Sequence, residues 1–325
     1  MNMVINMDSA LCPLCHCKDL RILFRAETVH SIFCIIQCRQ CNLARTYPFP
    51  DDDVLHVHDT FCYYGKNESK FIPVLQYIRD RLSKIRARRY LSMISTSIQS
   101  PRILDIGCAD GRLLNSFLEY GCDCYGVEHL FYPKNRFLNS DRIKYFVGDL
   151  ESLDLKERSF DIIILWHVLE HMDNPDAVIN RVFDLLSPNG LFVLAVPNFS
   201  GMDAKIFKQL WFHLNIPWHK YHFTEKFLHC LVEKNSFQIV KSTTFCLEQG
   251  IYGIIQSILN FMRWPKNELY EAMKGIFLRG RLLPLLFQSI IAVILLMPCT
   301  LICLIASMRQ EGSVLKLILR KNRNS

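Results

Sequence analysis

Two pairs of cysteines, Cys12-Pro-Leu-Cys15 and Cys38-Arg-Gln-Cys41, carry the spacing of metal ligands. Two residues between partners let both thiolates face one ion, and four thiolates close a tetrahedral zinc shell with no open position. The expected zinc is therefore structural. Cys17 and Cys34 are surplus and could serve as alternate ligands, and four unrelated core thiols are the bland alternative. A second set lies in Pro101–Gly111, PRILDIGCADG, where Gly107 and Gly111 frame a turn. A glycine there lets backbone approach a ligand closely. The next apolar piece ends in Glu128, and an acid at that strand tip is the usual partner of ribose hydroxyls. A third set is imidazoles: His167-Val-Leu-Glu170-His171, and His219 and His222 within Pro217–His222. An imidazole can position or deprotonate an acceptor hydroxyl near neutral pH, though a satisfied loop histidine is the plainer reading of each. His167-x-x-Glu170-His171 alone matches an inverted zinc-protease pattern, which needs both histidines on a sustained helix. An apolar strand ends just before it and Asn174-Pro175 restarts a helix just after, so the segment reads as a short turn.

These residues need a frame, and the apolar pattern supplies one. Ile103–Ile106 reads as a strand, followed by a helix with Leu113, Leu114, Phe117 and Leu118 on one face. Cys124–Val127, Ile143–Val147, the near-continuous apolar run Phe160–Trp166, and Leu191–Val196 follow as further strands of a buried parallel sheet. Asn174 and Thr224 cap the helices after the fourth and fifth strands. Phe237–Phe245 and Val314–Leu319 read as a sixth and a seventh strand. Before the sheet, Leu20–Phe24 and Ile32–Gln37 are strands of a small ribbon around the cysteines. Tyr47-Pro-Phe-Pro50 and three aspartates make a linker or a helix entry. A helix over Phe71–Ile98 then places Ile72, Leu75, Ile78, Leu82 and Ile85 on an apolar face. Arg79, Arg81, Lys84, Arg86, Arg88 and Arg89 form its other face, read either as solvated or as a contact for anionic headgroups or a phosphorylated substrate.

In order and spacing, Pro101–Val240 resembles the class I S-adenosylmethionine-dependent methyltransferases, especially the group of ubiquinone-type O-methyltransferases. The resemblance implies an α/β, Rossmann-like sheet, parallel with an antiparallel last strand. It implies that Asp105, Gly107, Cys108, Ala109 and Gly111 hold the methionine end of S-adenosylmethionine, that Glu128 holds the ribose, and that Asp149, followed by Leu150, holds the adenine amino group. It places the stretch from Trp166 to His171 beside the transferable methyl group, with His171 as general base and Glu170 as an orienting carboxylate. Pro217–His222 resembles the acceptor-side loop, which makes His222 and His219 the further catalytic candidates. Ala109 departs from the family's second glycine. A dinucleotide-binding enzyme on the same sheet is the alternative, but its third glycine position is poorly matched. Some sugar C-methyltransferases that resemble this chain carry a similar cysteine-rich N-terminal module.

The chain has 325 residues, half of them hydrophobic, ample for a core, and a net charge of +7. A nucleic-acid ribbon would cluster basic and aromatic residues on its strands, whereas Arg21, Arg25, Arg39 and Arg45 are scattered. Fourteen cysteines without a basic-then-apolar leader argue for thiols and metal ligands rather than disulfides. Leu282–Met308 carries no charge and is long enough to span a bilayer. Pro284 and Pro298 interrupt it, and basic residues (Arg279, Arg281, Arg309, Lys316, Arg320, Lys321) flank both ends. If Val314–Leu319 rejoins the sheet, the run is a helical hairpin in one leaflet, bent near Pro298; a spanning helix and a buried core or dimerisation helix are the alternatives. The expected organisation is a zinc ribbon over 1–50, a linker and basic helix over 51–99, the cofactor-binding core over 100–250, an apolar membrane-associating insertion over 251–311, and the last strand with a basic tail over 312–325. The expected protein is a cytoplasmic methyltransferase on the inner membrane face, acting on a small or lipid-linked acceptor, with a non-catalytic recruitment protein as the alternative.

Overall fold

The computed structural model describes residues 11–27, 32–49, 73–129, 141–275 and 280–322. The first ten residues, the aspartates after Pro50, Phe71, Ile72 and Arg279 lie outside the described residues, as does the Leu75 side chain. In chain order come β1 (Leu20–Glu27), β2 (Ile32–Cys38), β3 (Ala44–Tyr47), α1 (Pro73–Leu91), β4 (Arg102–Ile106), α2 (Arg112–Leu118), β5 (Asp123–Glu128), β6 (Ile143–Val147) and β7 (Phe160–Trp166). Then follow α3 (Pro175–Leu185), β8 (Leu186–Pro197), α4 (Met202–Phe207), β9 (Tyr221–His222), α5 (Glu225–Lys234), β10 (Phe237–Thr243), α6 (Leu247–Phe261), α7 (Glu268–Met273), α8 (Leu282–Met308) and β11 (Val314–Lys321).

A seven-stranded sheet, ordered β10-β11-β8-β7-β4-β5-β6, forms the centre. The strands from β8 to β6 are mutually parallel, and β11 runs antiparallel between β8 and β10. Successive residues alternate faces: Leu104 and Ile106 join one core cluster, Ile103 the other. This order puts β4 beside β7 on one side and β5 on the other, so a crevice opens over the carboxyl ends of the strands. The expected caps form: Asn174 Oδ1 accepts from Ala177 N at 3.1 Å, and Thr224 Oγ1 from Phe227 N at 3.3 Å.

The cysteine-bearing β1–β3 form an antiparallel sheet that gains a fourth strand, β9, from far along the chain. Arg45 pairs with Tyr221 and Ala44 with His222, fastening the ribbon to the loop before α5.

One expectation is corrected. Leu282–Met308 does not bend into a hairpin near Pro298; it is a single helix, α8, with the proline inside. One proline removes one hydrogen bond and kinks a helix, whereas a hairpin needs several residues of turn. The antiparallel partner of α8 is instead α6. Ile254, Ile255 and Leu259 pack with Cys299 and Cys303, and Gly250 approaches Cys303 so closely that a Cβ there would lie 2.6 Å from its sulfur. At the other end Arg281 donates to Glu268 at 2.7 and 3.0 Å, and Gln288 donates to the same carboxylate at 2.6 Å. The opposite side of α8 is bare: Leu283, Phe287, Ile290, Ile294, Met297, Leu301 and Met308 are all exposed.

Candidate active site

The crevice holds a cavity of about 930 Å³. Its floor is the β4–α2 turn. Gly107 has φ +74, and a Cβ there would lie 2.2 Å from Val168, so only glycine fits. Ala109, where a second glycine was expected, also takes a positive φ of 47. Its N–H donates to Glu128 Oε1 at 2.5 Å, which ties the tip of β5 to the turn. Gly111, φ +69, occupies the residue before α2 and turns the chain. Burial, with Glu128 and Asp110 nearby, pushes the Asp105 carboxyl well above its ordinary range.

Asp105, Gly107, Cys108, Ala109, Glu128, Asp149, Leu150, Trp166 and His171 all line this cavity; Gly111, His219 and His222 do not. Asp149 Oδ1 meets His129 Nδ1 at 2.7 Å on the open side. His171 ends a single turn of 3-10 helix, Leu169–His171, too short for the protease arrangement. Its Nδ1 is 3.0 Å from the Trp218 carbonyl. A carbonyl can only accept, so Nδ1 carries the proton and Nε2 is the basic nitrogen of the neutral ring. Burial lowers the His171 pKa, against the opposing charge of Glu170.

The other two histidines stand behind the wall. The His219 ring meets His171 edge-on at 4.7 Å, and burial with its histidine neighbours holds its pKa far below the usual value. His222 Nε2 lies 3.0 Å from Thr46 Oγ1 of β3, and burial lowers its pKa to about 3.

Several lining residues lie outside the expected cofactor and catalytic sets, although Arg79 and Arg86 belong to the basic face offered as a contact for a phosphorylated substrate and Lys220 to the expected acceptor-side loop. Arg79, Ser83 and Arg86 reach the cavity from α1, Lys220 from the loop before α5, and Glu248 and Gln249 from α6. Arg86 pairs with Glu248 and lies 4.3 Å over the Trp166 ring. The periodicity of α1 did not give its faces. Ile78 and Ile85, expected on the apolar side, are exposed. The inward side is set by Ser83, Ala87 and Tyr90, with Arg86, expected on the basic side, turned to the cavity. His167 also lines the cavity, with a left-handed φ of 57 and Nδ1 3.3 Å from the fully buried Glu170. Such strain collects at functional sites.

A cofactor fits this lining: an open glycine turn, the Glu128 and Asp149 carboxylates as acceptors for hydroxyl and amino groups, and a histidine across the space. In the ribbon, Cys12 Sγ lies 3.6 Å from Cys41 Sγ and Cys15 Sγ 3.5 Å from Cys38 Sγ, and all four sulfurs fall within 4.8 Å of one another. Tetrahedral zinc at a bond length of about 2.3 Å needs sulfurs roughly 3.8 Å apart, so the set matches in number and spacing.

Comparison of the sequence with known families agrees with this frame. Residues 75–242 match the family model of the methyltransferase domain. Ubiquinone biosynthesis O-methyltransferases of Rhodopseudomonas palustris (strain HaA2) and Bradyrhizobium sp. (strain ORS 278) are 30% and 31% identical over 132 residues, 38% of this chain. The chain spans about half the length of these relatives, 50% of each. Similar solved structures include a putative sarcosine dimethylglycine methyltransferase from Galdieria sulphuraria (TM-score 0.49, 14% identity, 84% of this chain and 99% of that one). Another is an S-adenosylmethionine-dependent methyltransferase from Archaeoglobus fulgidus (TM-score 0.45, 20% identity, 74% and 94%).

Proposed function

The chain belongs to the methyltransferase-domain family, and from that premise we propose that it methylates a hydroxyl of a lipid-linked, glycan or other apolar acceptor at a membrane surface, using S-adenosylmethionine. The observation that carries this reading is the meeting, in one cavity, of the Gly107–Asp110 turn with Glu128 and Asp149 on one side and His171 on the other. The cofactor supplies an already activated methyl group. The protein's work is then alignment and proton handling. Backbone of the turn and Asp105 hold the amino-acid end, Glu128 and Leu150 the ribose and its surroundings, Asp149 the base. Trp166, with Arg86 stacked on it, walls the acceptor side. His171 Nε2 receives the hydroxyl proton, because Nδ1 is already committed to Trp218. His219 and His222 act from behind the wall, as positioning groups.

The four ribbon cysteines hold one structural zinc in this reading. The bare apolar side of α8 rests in the membrane interface without crossing it. Two features favour that over a spanning helix. α8 is packed along its length on α6 and α7, and the connection from α6 to α7 carries Arg263 and Lys266 while α7 and the residue after it carry Glu268, Glu271 and Lys274, which would have to enter the bilayer too. Its far end leads through a short connection, in which Gly312 O accepts from Asn198 Nδ2 at 2.8 Å, into β11.

The test is methyl transfer itself. The full chain is incubated with methyl-labelled S-adenosylmethionine and with either extracted membrane lipids and quinones or a water-soluble fraction. Label is expected in the organic extract. Label confined to water-soluble products would remove the apolar acceptor; no cofactor binding by calorimetry would remove the enzymatic reading.

A further inference from the structure

The outer side of α1 combines two kinds of residue that rarely share an exposed helix face. Tyr77, Ile78 and Ile85 are 61%, 46% and 63% exposed. Between and beside them stand Arg81, Arg88 and Arg89, also exposed. The spacing is helical: Tyr77, Arg81, Ile85 and Arg89 succeed each other at i, i+4, and Ile78, Ile85 and Arg88 follow at i+7 and i+3, so they form one surface. Tyr77 and Arg81 are organised, with Arg81 Nε donating to the Tyr77 hydroxyl at 3.0 Å and its guanidinium 5.5 Å over the ring. The only acid in α1, Asp80, is turned to the other side and paired with Arg112. Among the described residues, Arg81, Arg88 and Arg89 have no acid within ion-pair distance.

A soluble helix that faced only water would gain nothing by exposing two isoleucines and a tyrosine among its arginines. An anionic bilayer surface satisfies both halves of the pattern. Phosphate groups meet the guanidinium groups, while tyrosine and short aliphatic chains sit at the headgroup level. We propose that the outer face of α1 is a second membrane contact, one that selects anionic lipid headgroups. This rests on the membrane attachment of α8 proposed above and adds to it a charge preference. It also has a geometric consequence for the active site. The inner side of the same helix supplies Ser83 and Arg86 to the cavity wall, and Arg86 is joined to Glu248 at the start of α6, the helix that carries α8. The two membrane contacts are therefore held together by the rim of the cavity.

Flotation of the full-length protein with vesicles separates this from the broader reading. Three samples are compared: pure phosphatidylcholine vesicles, vesicles with one third phosphatidylglycerol, and the latter at 0.5 M salt. Wild type is expected to bind the neutral vesicles through α8 and the anionic ones at least tenfold more strongly, with the difference erased by salt. Arg81→Gln with Arg88→Gln should lose about fivefold in anionic affinity for each charge removed and keep its neutral binding and melting curve. Ile85→Ser with the arginines intact should weaken anionic binding as well, which a purely electrostatic face would not do. Equal binding to neutral and anionic vesicles, or an arginine-depleted double variant that keeps the full anionic preference, overturns the α1 proposal while leaving the attachment by α8 standing. Absence of binding to any vesicle overturns both. If the double variant loses affinity for single-stranded RNA but not for vesicles, the face belongs to nucleic acid and the proposal fails.

Discussion

Glu128 does two jobs at once: it faces the cavity and accepts the Ala109 N–H at 2.5 Å. Glu128→Ala removes a charged hydrogen-bond partner worth about 1.5–3 kcal/mol, or roughly 10- to 150-fold in cofactor affinity. Titration calorimetry checks this, and equal affinity in wild type and variant would exclude Glu128 from the ribose site. His171 is the residue whose loss should appear in turnover instead. With Nδ1 fixed by Trp218, His171→Ala is expected to lower kcat by about 100-fold or more with cofactor affinity unchanged. A variant with an unchanged rate and pH profile takes His171 out of the reaction. Both residues were visible in the sequence because the turn and the post-strand segment bring their own spacing with them. Arg86 was visible only as one of several arginines, since nothing local says that α1 lies across the cofactor crevice.

At the scale of elements, the ribbon and the cavity wall are one construction. Thr46 N donates to the Lys220 carbonyl at 3.0 Å, Thr46 Oγ1 donates to the His219 carbonyl at 2.7 Å, and Lys220 N donates to the Glu170 carbonyl at 2.9 Å. Trp218 and Lys220 line the cavity within that same loop. Metal binding and folding are coupled in sites of this kind. Chelation is therefore expected to lower the melting temperature and also to speed amide exchange over residues 218–222, as should Cys12→Ser. One zinc per chain by elemental analysis is the companion expectation. Unchanged exchange in that loop after metal removal would uncouple the two. The ribbon's cysteines were legible from spacing alone. Its fourth strand, Tyr221–His222, was not, because a two-residue strand has no period to read and its partners, Arg45 and Ala44, lie far back in the chain. The bend expected at Pro298 failed for a related reason: the partner of α8 is another element, α6, and a pattern confined to one segment cannot show that.

Across the whole molecule, the buried imidazoles set a pH limit. Burial lowers the pKa of His213 and of His222 to about 3 from an ordinary 6.5, and holds His219 well below that value. Above pH 6.5 folded and unfolded chains both keep these rings neutral, and they contribute no pH dependence. Below it the unfolded chain binds protons that the folded chain refuses, so stability falls as pH falls, by about 1.4 kcal/mol per pH unit for each ring, down toward pH 3. Urea unfolding at pH 7.5, 6.5 and 5.5 should show the midpoint dropping steeply over the last step. His213→Asn should flatten that slope by about one proton, and a midpoint indifferent to pH over this range would contradict the burial. The sheet itself was readable almost throughout, since each parallel strand is an apolar run bounded by turns. What could not be read was how the far parts of the chain return to it.

That return has a cost in time. The chain leaves the sheet at Thr243 in β10, makes the long α6–α8 excursion, and comes back at Val314 to fill the gap between β10 and β8. Until the last strand arrives, β10 has no partner and the edge of β8 away from β7 stays open, while an uncharged helix is still seeking its place. Pairings between such distant positions form late, and open edges beside apolar segments favour aggregation. Refolding from denaturant should be slow and low-yielding in buffer, and micelles that shelter α8 should improve both; identical rates and yields with and without micelles would show that the excursion folds without help.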